Sequence, residues 1–384
     1  WRARSEENPG DELALAALDR LYEENRRWRE LVTVIDRRRE VTEDTQLRRK
    51  LMVRSAQILA GKLDSVSEAI DSWRAVMDEF GPEAEVLVSL EELYAKAERW
   101  DELAETYEAH LDLVDSDQGR LDLLANLGDL RRVHLSDLSA ALEAYRRALT
   151  LDAGHERSRA ALEKLLDAED RLARREAAEV LHPIYETEAA HEKLLRVLDI
   201  EVDTAEDPLA RLDGLERAIA VAEGAMNDPG RAYAYAERAV REAVGHTDLQ
   251  PWLEHLERLA EATERQSDYV KMLCQVVPEI FDGEVQLAVT LKIADLARHR
   301  LADRDLAREY YQKVLELKAG DKQALVALES LYEESGDATS LLEVLERRVE
   351  CAENDDERKQ LLFRRARLLS EALRDRPRAI EVFE

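Results

Sequence analysis

Hydrophobic and polar positions alternate along the chain with a helical period. In residues 90–97 the apolar side chains stand at i, i+3, i+4 and i+7, and residues 103–114 carry a second stripe of similar spacing. The two stripes predict two amphipathic helices. Trp100 and Asp101 between them predict a tight corner, with Asp101 as the N-cap of the second helix. Helices joined this closely pack antiparallel, so the pattern predicts a helical hairpin.

The same phrase returns along the chain. LDRLYEENRRW begins at Leu18, LEELYAKAERW at Leu90 and LESLYEESGD at Leu328. Related phrases begin at Leu162 and Leu256, so that most intervals are 72 residues, or two hairpins of 36 residues. A phrase that recurs at a fixed interval indicates a stacked structural unit. We therefore predict an all-α fold, an α-solenoid of about ten antiparallel helical hairpins.

One part of the array is irregular. The interval from Leu162 to Leu256 is 94 residues, and the excess lies in ARREAAEVLHPIYETEAAHEKLL, where Pro183 interrupts a helical pattern. Proline in a helix interior removes a backbone hydrogen bond, so the helix either ends near Leu181 or is kinked. We predict regular repeats in residues 1–152, an irregular junction with an extra helix in residues 153–245, and regular repeats again in residues 246–384.

A motif in the second helices resembles a known repeat. Ala141-x3-Tyr145-x2-Ala148 is similar in spacing to the second-helix signature of tetratricopeptide (TPR) repeats, and Leu124-x2-Leu127-Gly128 resembles the first-helix half. The usual first-helix Trp is Leu here, and the closing Pro is missing. The resemblance implies a TPR-like superhelix whose first helices line a concave face. The second-helix spacing recurs loosely from Ala69, from Ala307 and, truncated, from Ala379 to Phe383.

The composition narrows the classes of partner. Charged residues make up 37% of the chain and the net charge is −29, which disfavours nucleic acid because phosphate binding needs a basic surface. No apolar run approaches the roughly 18 residues of a membrane helix. Cys274 and Cys351 lie nearly one repeat apart, and we expect free thiols. The chain opens at Trp1 without Met, so we expect a segment of a longer protein, with its compartment and oligomeric state left open.

No catalytic motif is complete. His191-Glu192 begins a zinc-protease motif, but Leu195 stands where the second His is needed. Gly-rich phosphate loops, nucleophile elbows and Cys-x-x-Cys pairs are missing as well. We predict no catalytic residue, metal ligand or cofactor, and a protein that is not an enzyme. A hydrolase site hidden near Pro183 is the alternative, and it predicts a metal or a closed polar pocket there.

Six aromatic residues recur at equivalent positions of the repeat, which favours a role in the core. Trp252, beside Pro251, has no counterpart and is a better candidate for the surface. The recurring aromatic residues are Tyr22, Trp28, Trp73, Tyr94, Trp100 and Tyr332.

The TPR resemblance also implies a binding face. It places six residues of two neighbouring hairpins on the concave side: Glu91, Glu92, Glu98, Asp122, Asn126 and Asp129. Such a face would form an acidic groove for a peptide that carries Lys or Arg, unless these side chains only solvate the groove. The resemblance thus implies a non-catalytic scaffold that binds partner proteins or peptides. The alternative is a regulatory segment that controls an enzyme domain elsewhere in the same polypeptide.

Overall fold

The computed structural model describes residues 1–382, and these residues form helices, turns and loops without any β-strand. The motif that ends at Phe383 extends beyond the described residues. The chain divides into two compact units, Trp1–Ile184 and Tyr185 onward. Consecutive helices pack against each other within each unit, and their short connections make them antiparallel. The predicted all-α solenoid of helical hairpins is confirmed.

The helices of the first unit are α1 (Arg2–Glu7), α2 (Glu12–Glu24), α3 (Trp28–Val41), α4 (Thr45–Gly61), α5 (Val66–Phe80), α6 (Ala84–Lys96), α7 (Trp100–Leu111), α8 (Asp117–Val133), α9 (Leu138–Leu151) and α10 (Glu156–Leu165). The boundary between the units falls inside α11 (Arg171–Thr187).

The helices of the second unit are α12 (His191–Thr204), α13 (Pro208–Ala220), α14 (Pro229–Ala243), α15 (Gln250–Ala262), α16 (Gln266–Val276), α17 (Gly283–His299), α18 (Arg304–Leu317), α19 (Lys322–Ser335), α20 (Ala338–Glu350), α21 (Asp355–Glu371) and α22 (Arg376–Glu381). A π-helical turn, Val221–Ala225, continues α13, and a 3₁₀ turn, Val277–Glu279, follows α16.

The helix starts follow ordinary capping chemistry. Asp137 caps α9 by accepting a 3.0 Å hydrogen bond from the backbone of Ala140, and Asp207 and Asp228 precede the proline-led helices α13 and α14 as caps. Such caps are worth about 1 kcal/mol each. The predicted cap Asp101 is wrong, because α7 begins one residue earlier and Asp101 lies in its first turn.

The hairpin corners share one backbone geometry, in which a single residue adopts a left-handed conformation. In the α6–α7 corner this residue is Glu98, with φ of 55°, and the backbone of Arg99 then donates a 2.9 Å hydrogen bond to the carbonyl of Tyr94. This arrangement satisfies carbonyls at the end of the first helix. Non-glycine residues with positive φ also occur at Arg26, Asp64, Ser136, Ala189, Asn227, Glu264, Ala302 and Arg374.

The core of each unit lies between the paired helices. Trp73, Tyr94 and Tyr332 are buried, as predicted for recurring aromatic residues, whereas Trp28 and Trp100 are half-buried. α8 and α9 approach closely at Gly128, where a Cβ atom would lie 2.5 Å from a ring carbon of Tyr145. The close approach explains the Gly of the first-helix motif.

Pro183 lies inside α11, and the helix continues through it to Thr187. Of the two predicted alternatives, a helix end near Leu181 is therefore excluded, and a kink at Pro183 stays a prediction. Proline at such a position removes one backbone hydrogen bond, but the helix can continue when the neighbouring turns keep their hydrogen bonds. The boundary between the two units lies between Ile184 and Tyr185, one residue after Pro183 in the sequence. The division of the chain into residues 1–152, 153–245 and 246–384 stays a prediction.

Candidate partner-binding site

An acidic residue directly follows the first Leu of the repeated phrase. We name these side chains the phrase carboxylates; those with a described ion pair are Asp19, Glu91, Glu257 and Glu329. Each lies on the first helix of a hairpin, and its partners come from two places. One partner stands 19 residues later, on the second helix of the same hairpin, and the other stands 35 residues later, on the first helix of the next hairpin.

Two of the phrase carboxylates are held between two arginines. Asp19 is only 3% exposed, and its oxygens accept hydrogen bonds from Arg38 and Arg54, the latter at 2.8 Å. Glu329, also 3% exposed, pairs in the same way with Arg348 and Arg364. A buried carboxylate is expensive unless charged partners compensate it. The arginines therefore link a hairpin to its neighbour through one buried charge.

Glu91 departs from this arrangement. Its Oε1 lies 2.6 Å from Nδ1 of His110, which stands where Arg38 and Arg348 stand in the other repeats. The position 35 residues after Glu91 is Asn126, not a basic residue. Burial raises the pKa of Glu91; the hydrogen bond from His110 opposes that rise, and the charge of Glu92 adds to it. Glu91 thus lacks the second cation that Asp19 and Glu329 have.

Asn126 and Asp129 are instead joined to the next first helix. Arg157, at the start of α10, donates a 2.8 Å hydrogen bond to Oδ1 of Asn126. It also donates two hydrogen bonds, of 2.9 Å and 2.6 Å, to Oδ2 of Asp129. Asp129 also accepts a 2.7 Å hydrogen bond from the Tyr145 hydroxyl. Burial alone would raise the pKa of Asp129, but the hydrogen bonds from Tyr145, Arg157 and Arg132 outweigh burial and lower it.

The second unit repeats the Asp129 arrangement without the arginine. Tyr311 donates a 2.5 Å hydrogen bond to Oδ1 of Asp295, and Gln323 donates a 2.8 Å hydrogen bond to Oδ2. The residue separations match those of Asp129, Tyr145 and Arg157. The Tyr–Asp pair is thus a shared structural feature, and Arg157 is particular to the first unit.

The remaining predicted site residues are more exposed. Glu92 lies on α6, and Asp122 lies on α8, where it accepts a 3.1 Å hydrogen bond from Gln118. Glu98 lies in the corner between α6 and α7. Glu91, Glu92, Asp122, Asn126 and Asp129 therefore belong to the first helices α6 and α8, while Glu98 belongs to a turn. The binding role of all six residues stays a prediction.

First helices on either side of α6 and α8 are joined by charged or polar bridges. Arg49 of α4 pairs with Glu83, just before α6, and Gln57 of α4 donates a 3.2 Å hydrogen bond to Glu85 of α6. Arg157 joins α10 to α8. Over residues 1–382 no side-chain hydrogen bond or ion pair joins α6 to α8. Of the neighbouring first-helix pairs α4–α6, α6–α8 and α8–α10, the described residues therefore leave α6–α8 without such a bridge.

The partners of the phrase carboxylates were not identified from the sequence. The signal was present, since Leu18-Asp19, Leu90-Glu91 and Leu328-Glu329 all repeat a Leu followed by an acid. Acidic residues are so frequent in this chain that a Leu–acid pair by itself does not indicate a buried ion pair. The separations of 19 and 35 residues become meaningful only when the hairpin geometry brings those positions together.

A cavity of about 850 Å³ lies in the first unit near Pro183. It is lined by apolar residues such as Leu142 and Val180 together with several carboxylates. Glu143 and Glu179 in this lining are paired with Arg146 and Arg175 at 2.6 Å and 2.7 Å. Within residues 1–382, no group of three or more His, Cys, Asp or Glu is placed to hold a metal ion. Both cysteines are free thiols, as predicted.

Similarity to known proteins lies in the repeat itself. Residues 86–121, from α6 into α8, match the family model of the tetratricopeptide repeat. No functionally curated protein matches the chain in sequence. None of the helices in the described part of the chain combines the length and low charge needed to cross a bilayer.

Several solved helical repeat structures are similar to the chain at low identity. Yeast Tom70 is 11% identical, with 96% of this chain and 98% of that chain covered and a TM-score of 0.27. A tetratricopeptide repeat protein from Parabacteroides merdae is 14% identical over 74% and 98% of the two chains, with a TM-score of 0.24. The TPR domain of P58(IPK) is 13% identical over 84% and 98%, with a TM-score of 0.22. Likeness at this level says nothing about function.

The matched repeat spans a hairpin whose corner and packing recur in both units. The hairpin of α8 and α9 follows this repeat, and there Tyr145 of α9 packs against Gly128 of α8. The chain is therefore an all-α array of helical hairpins in which residues 86–121 match a tetratricopeptide repeat.

Proposed function

We propose that this chain is a non-catalytic scaffold that binds a partner protein or peptide on α6 and α8 through a Lys or Arg of the partner. The observation that carries the proposal is the incomplete environment of Glu91. Asp19 and Glu329 each have two arginines, whereas Glu91 has His110 and, in place of the second arginine, Asn126. A partner's basic side chain would supply the missing cation.

Charge and exposure support the same face. Glu92 and Asp122 are exposed beside Glu91 on α6 and α8, and the described residues supply neither of them with an ion pair. The net charge of −29 favours the approach of a basic partner over long range. Arg157 covers Asn126 and Asp129, and therefore sets the limit of the acidic face on the α10 side.

A charge-neutral double variant tests the proposal. Asn126→Arg with Arg157→Gln leaves the net charge unchanged, places an arginine where Arg54 and Arg364 stand, and leaves Asp129 with the Gln that Asp295 has. We expect the affinity for a fluorescently labelled peptide of alternating Lys and Ala to fall about tenfold, because the internal arginine occupies Glu91. Fluorescence anisotropy at low and moderate salt measures the affinity.

The control is Arg157→Gln alone, which should bind the peptide at least as well as the original protein because it uncovers Asp129. An unchanged affinity in the double variant would refute the site. If both variants weaken peptide binding equally, then Arg157 itself governs binding, and not the missing second cation beside Glu91. A protein that binds no basic peptide at low salt would favour the regulatory alternative.

A further inference from the structure

Trp252 lines a separate cavity in the second unit. The cavity, of about 320 Å³, lies where α13 and the π-helical turn Val221–Ala225 face the start of α15. Glu216, Ile219, Glu223 and His255 also line it. Its volume is at the lower end of ligand pockets, which run from about 300 Å³ to 1,000 Å³. It is large enough for one side chain of a partner and too small for an extended segment.

Other half-buried indole rings of the chain have a partner within the chain. The ammonium of Lys62 lies 5.7 Å from the ring centroid of Trp28, and the ring of Trp100 stacks on His134 at 3.9 Å. Trp252 is half-buried as well, but no cation or aromatic ring of residues 1–382 lies against it. Trp252 therefore lines the cavity without the internal cation that Lys62 supplies to Trp28.

The two carboxylates of the cavity differ in their partners. Glu223 accepts a 2.9 Å hydrogen bond from Arg258 and lies 3.1 Å from Nε2 of His255. The hydrogen bond from Arg258 is the main cause that lowers the pKa of Glu223 to about 2. Burial opposes this shift, and the hydrogen bond to His255 adds to it. Glu216 is exposed at the cavity, and no described residue pairs with it. The charges of Glu223 and Arg258 cancel, so Glu216 is the carboxylate of the lining that has no described ion-pair partner.

The π-helical turn explains why the cavity forms here. A π turn inserts an extra residue into a helix, shifts the register of the following side chains and occurs often at functional sites. Here it directly follows Ala220 and carries Glu223 toward His255 and Arg258. Pro251, in the first turn of α15, lines the opposite wall.

We propose that this cavity binds one Lys or Arg side chain of a partner protein, with the cation between the Trp252 ring and the Glu216 carboxylate. An indole face and a carboxylate together favour a cation over a neutral side chain of the same size, because the ring quadrupole and the charge act in the same direction. The site lies entirely within the second unit, and it does not depend on the proposed role of α6 and α8.

Nuclear magnetic resonance of the indole N–H groups tests this proposal on the whole chain. The protein has five tryptophans, so the spectrum contains five indole signals, and Trp252→Phe identifies the one from Trp252. The probes are N-acetyl-lysine methylamide and N-acetyl-arginine methylamide, with N-acetyl-norleucine methylamide as the neutral probe. We expect the Trp252 signal to shift in a saturable way with the basic probes only, and the comparison of Lys and Arg to show which is preferred.

Glu216→Gln should weaken binding of the basic probe about fivefold while leaving the other four indole signals in place. Glu284→Gln, which removes an exposed carboxylate from α17 of the same unit, is the matched control and should change nothing. An equal shift with norleucine would overturn the proposal in favour of an apolar pocket. A Trp252 signal that moves with none of the probes, or that Glu216→Gln leaves unaffected, would overturn it as well.

Discussion

Oε1 of Glu91 lies 2.6 Å from Nδ1 of His110, and the two residues occupy the positions that Asp19 and Arg38 occupy one phrase earlier. The substitution of an imidazole for a guanidinium changes the chemistry of an otherwise repeated contact. Arginine stays charged at every relevant pH, whereas histidine changes charge near neutrality. In the hairpin with the family match, the phrase carboxylate thus pairs with a histidine where Asp19 and Glu329 pair with an arginine.

The first prediction concerns Glu91 and pH. Because burial raises the pKa of Glu91, the folded state holds this proton more tightly than the unfolded state. The stability it contributes is present at low pH and is lost as pH rises through the raised pKa. The free energy of unfolding of the original protein, relative to Glu91→Gln, should therefore fall as pH rises from the ordinary Glu pKa of about 4 toward neutrality. Urea denaturation across that range measures it.

Glu105→Gln is the control for that experiment, because Glu105 is exposed on α7 and does not contribute to the raised pKa of Glu91. It should give nearly the same pH profile as the original protein. If the profiles of the original protein and Glu91→Gln run parallel, the assignment of a raised pKa to Glu91 is wrong.

The second prediction concerns the buried Glu329. Arg348→Met should lower the free energy of unfolding by about 2 kcal/mol, because it leaves a carboxylate that is 3% exposed with only one of its two arginines. Arg367→Met removes an exposed partner of Glu371 and should cost less than about 0.5 kcal/mol. Denaturation by urea distinguishes the two. Equal losses would mean that the paired arginines add no more than surface charges do.

The third prediction concerns Tyr145, whose hydroxyl donates to Asp129. Tyr145→Phe should cost about 1–2 kcal/mol, since it removes a donor from a partly buried carboxylate. Tyr107→Phe is the matched control, because the described residues place no hydrogen-bond partner on that half-buried hydroxyl. Thermal unfolding monitored by circular dichroism compares the two variants. A Tyr107→Phe loss as large as the Tyr145→Phe loss would count against the Asp129 contact.

The same tyrosine predicts a behaviour at alkaline pH. Burial, followed by the hydrogen bond to Asp129, raises the pKa of Tyr145 to about 12. For an acid whose pKa is raised by folding, stability is present below the ordinary pKa near 10 and is lost as pH rises above it. The difference in unfolding free energy between the original protein and Tyr145→Phe should shrink from about pH 10 upward. A constant difference would contradict the raised pKa.

The fourth prediction tests the exposed acids of the proposed face. Glu92→Lys with Asp122→Lys should weaken binding of the Lys-Ala peptide about tenfold or more, through direct repulsion at α6 and α8. Glu40→Lys with Glu105→Lys makes the same change in net charge on the second helices α3 and α7. Anisotropy titrations of both double variants decide the matter. Equal weakening would assign the binding to the total charge of the protein and not to this face.

The hydrophobic pattern was sufficient to predict the elements of this protein. The period of the stripes and the interval of 72 residues predicted helices and antiparallel hairpins, and the structure has them. Local physics explains this success, because amphipathic periodicity acts over a few residues. The prediction of Asp101 as a cap was wrong, and of the two alternatives at Pro183 the helix end is excluded, because α11 continues to Thr187.

Which charges are compensated was decided only by the tertiary structure. Asp19, Glu91 and Glu329 are equivalent in sequence, yet their partners lie 19 and 35 residues away, on helices that meet only when the hairpins stack. The sequence likewise does not contain the information that Lys62 lies over Trp28 and His134 stacks on Trp100, whereas no described cation or ring lies against Trp252. Sequence determines helix and repeat through near neighbours, whereas burial and pairing of charges depend on distances across helices, which the pattern along one chain does not contain.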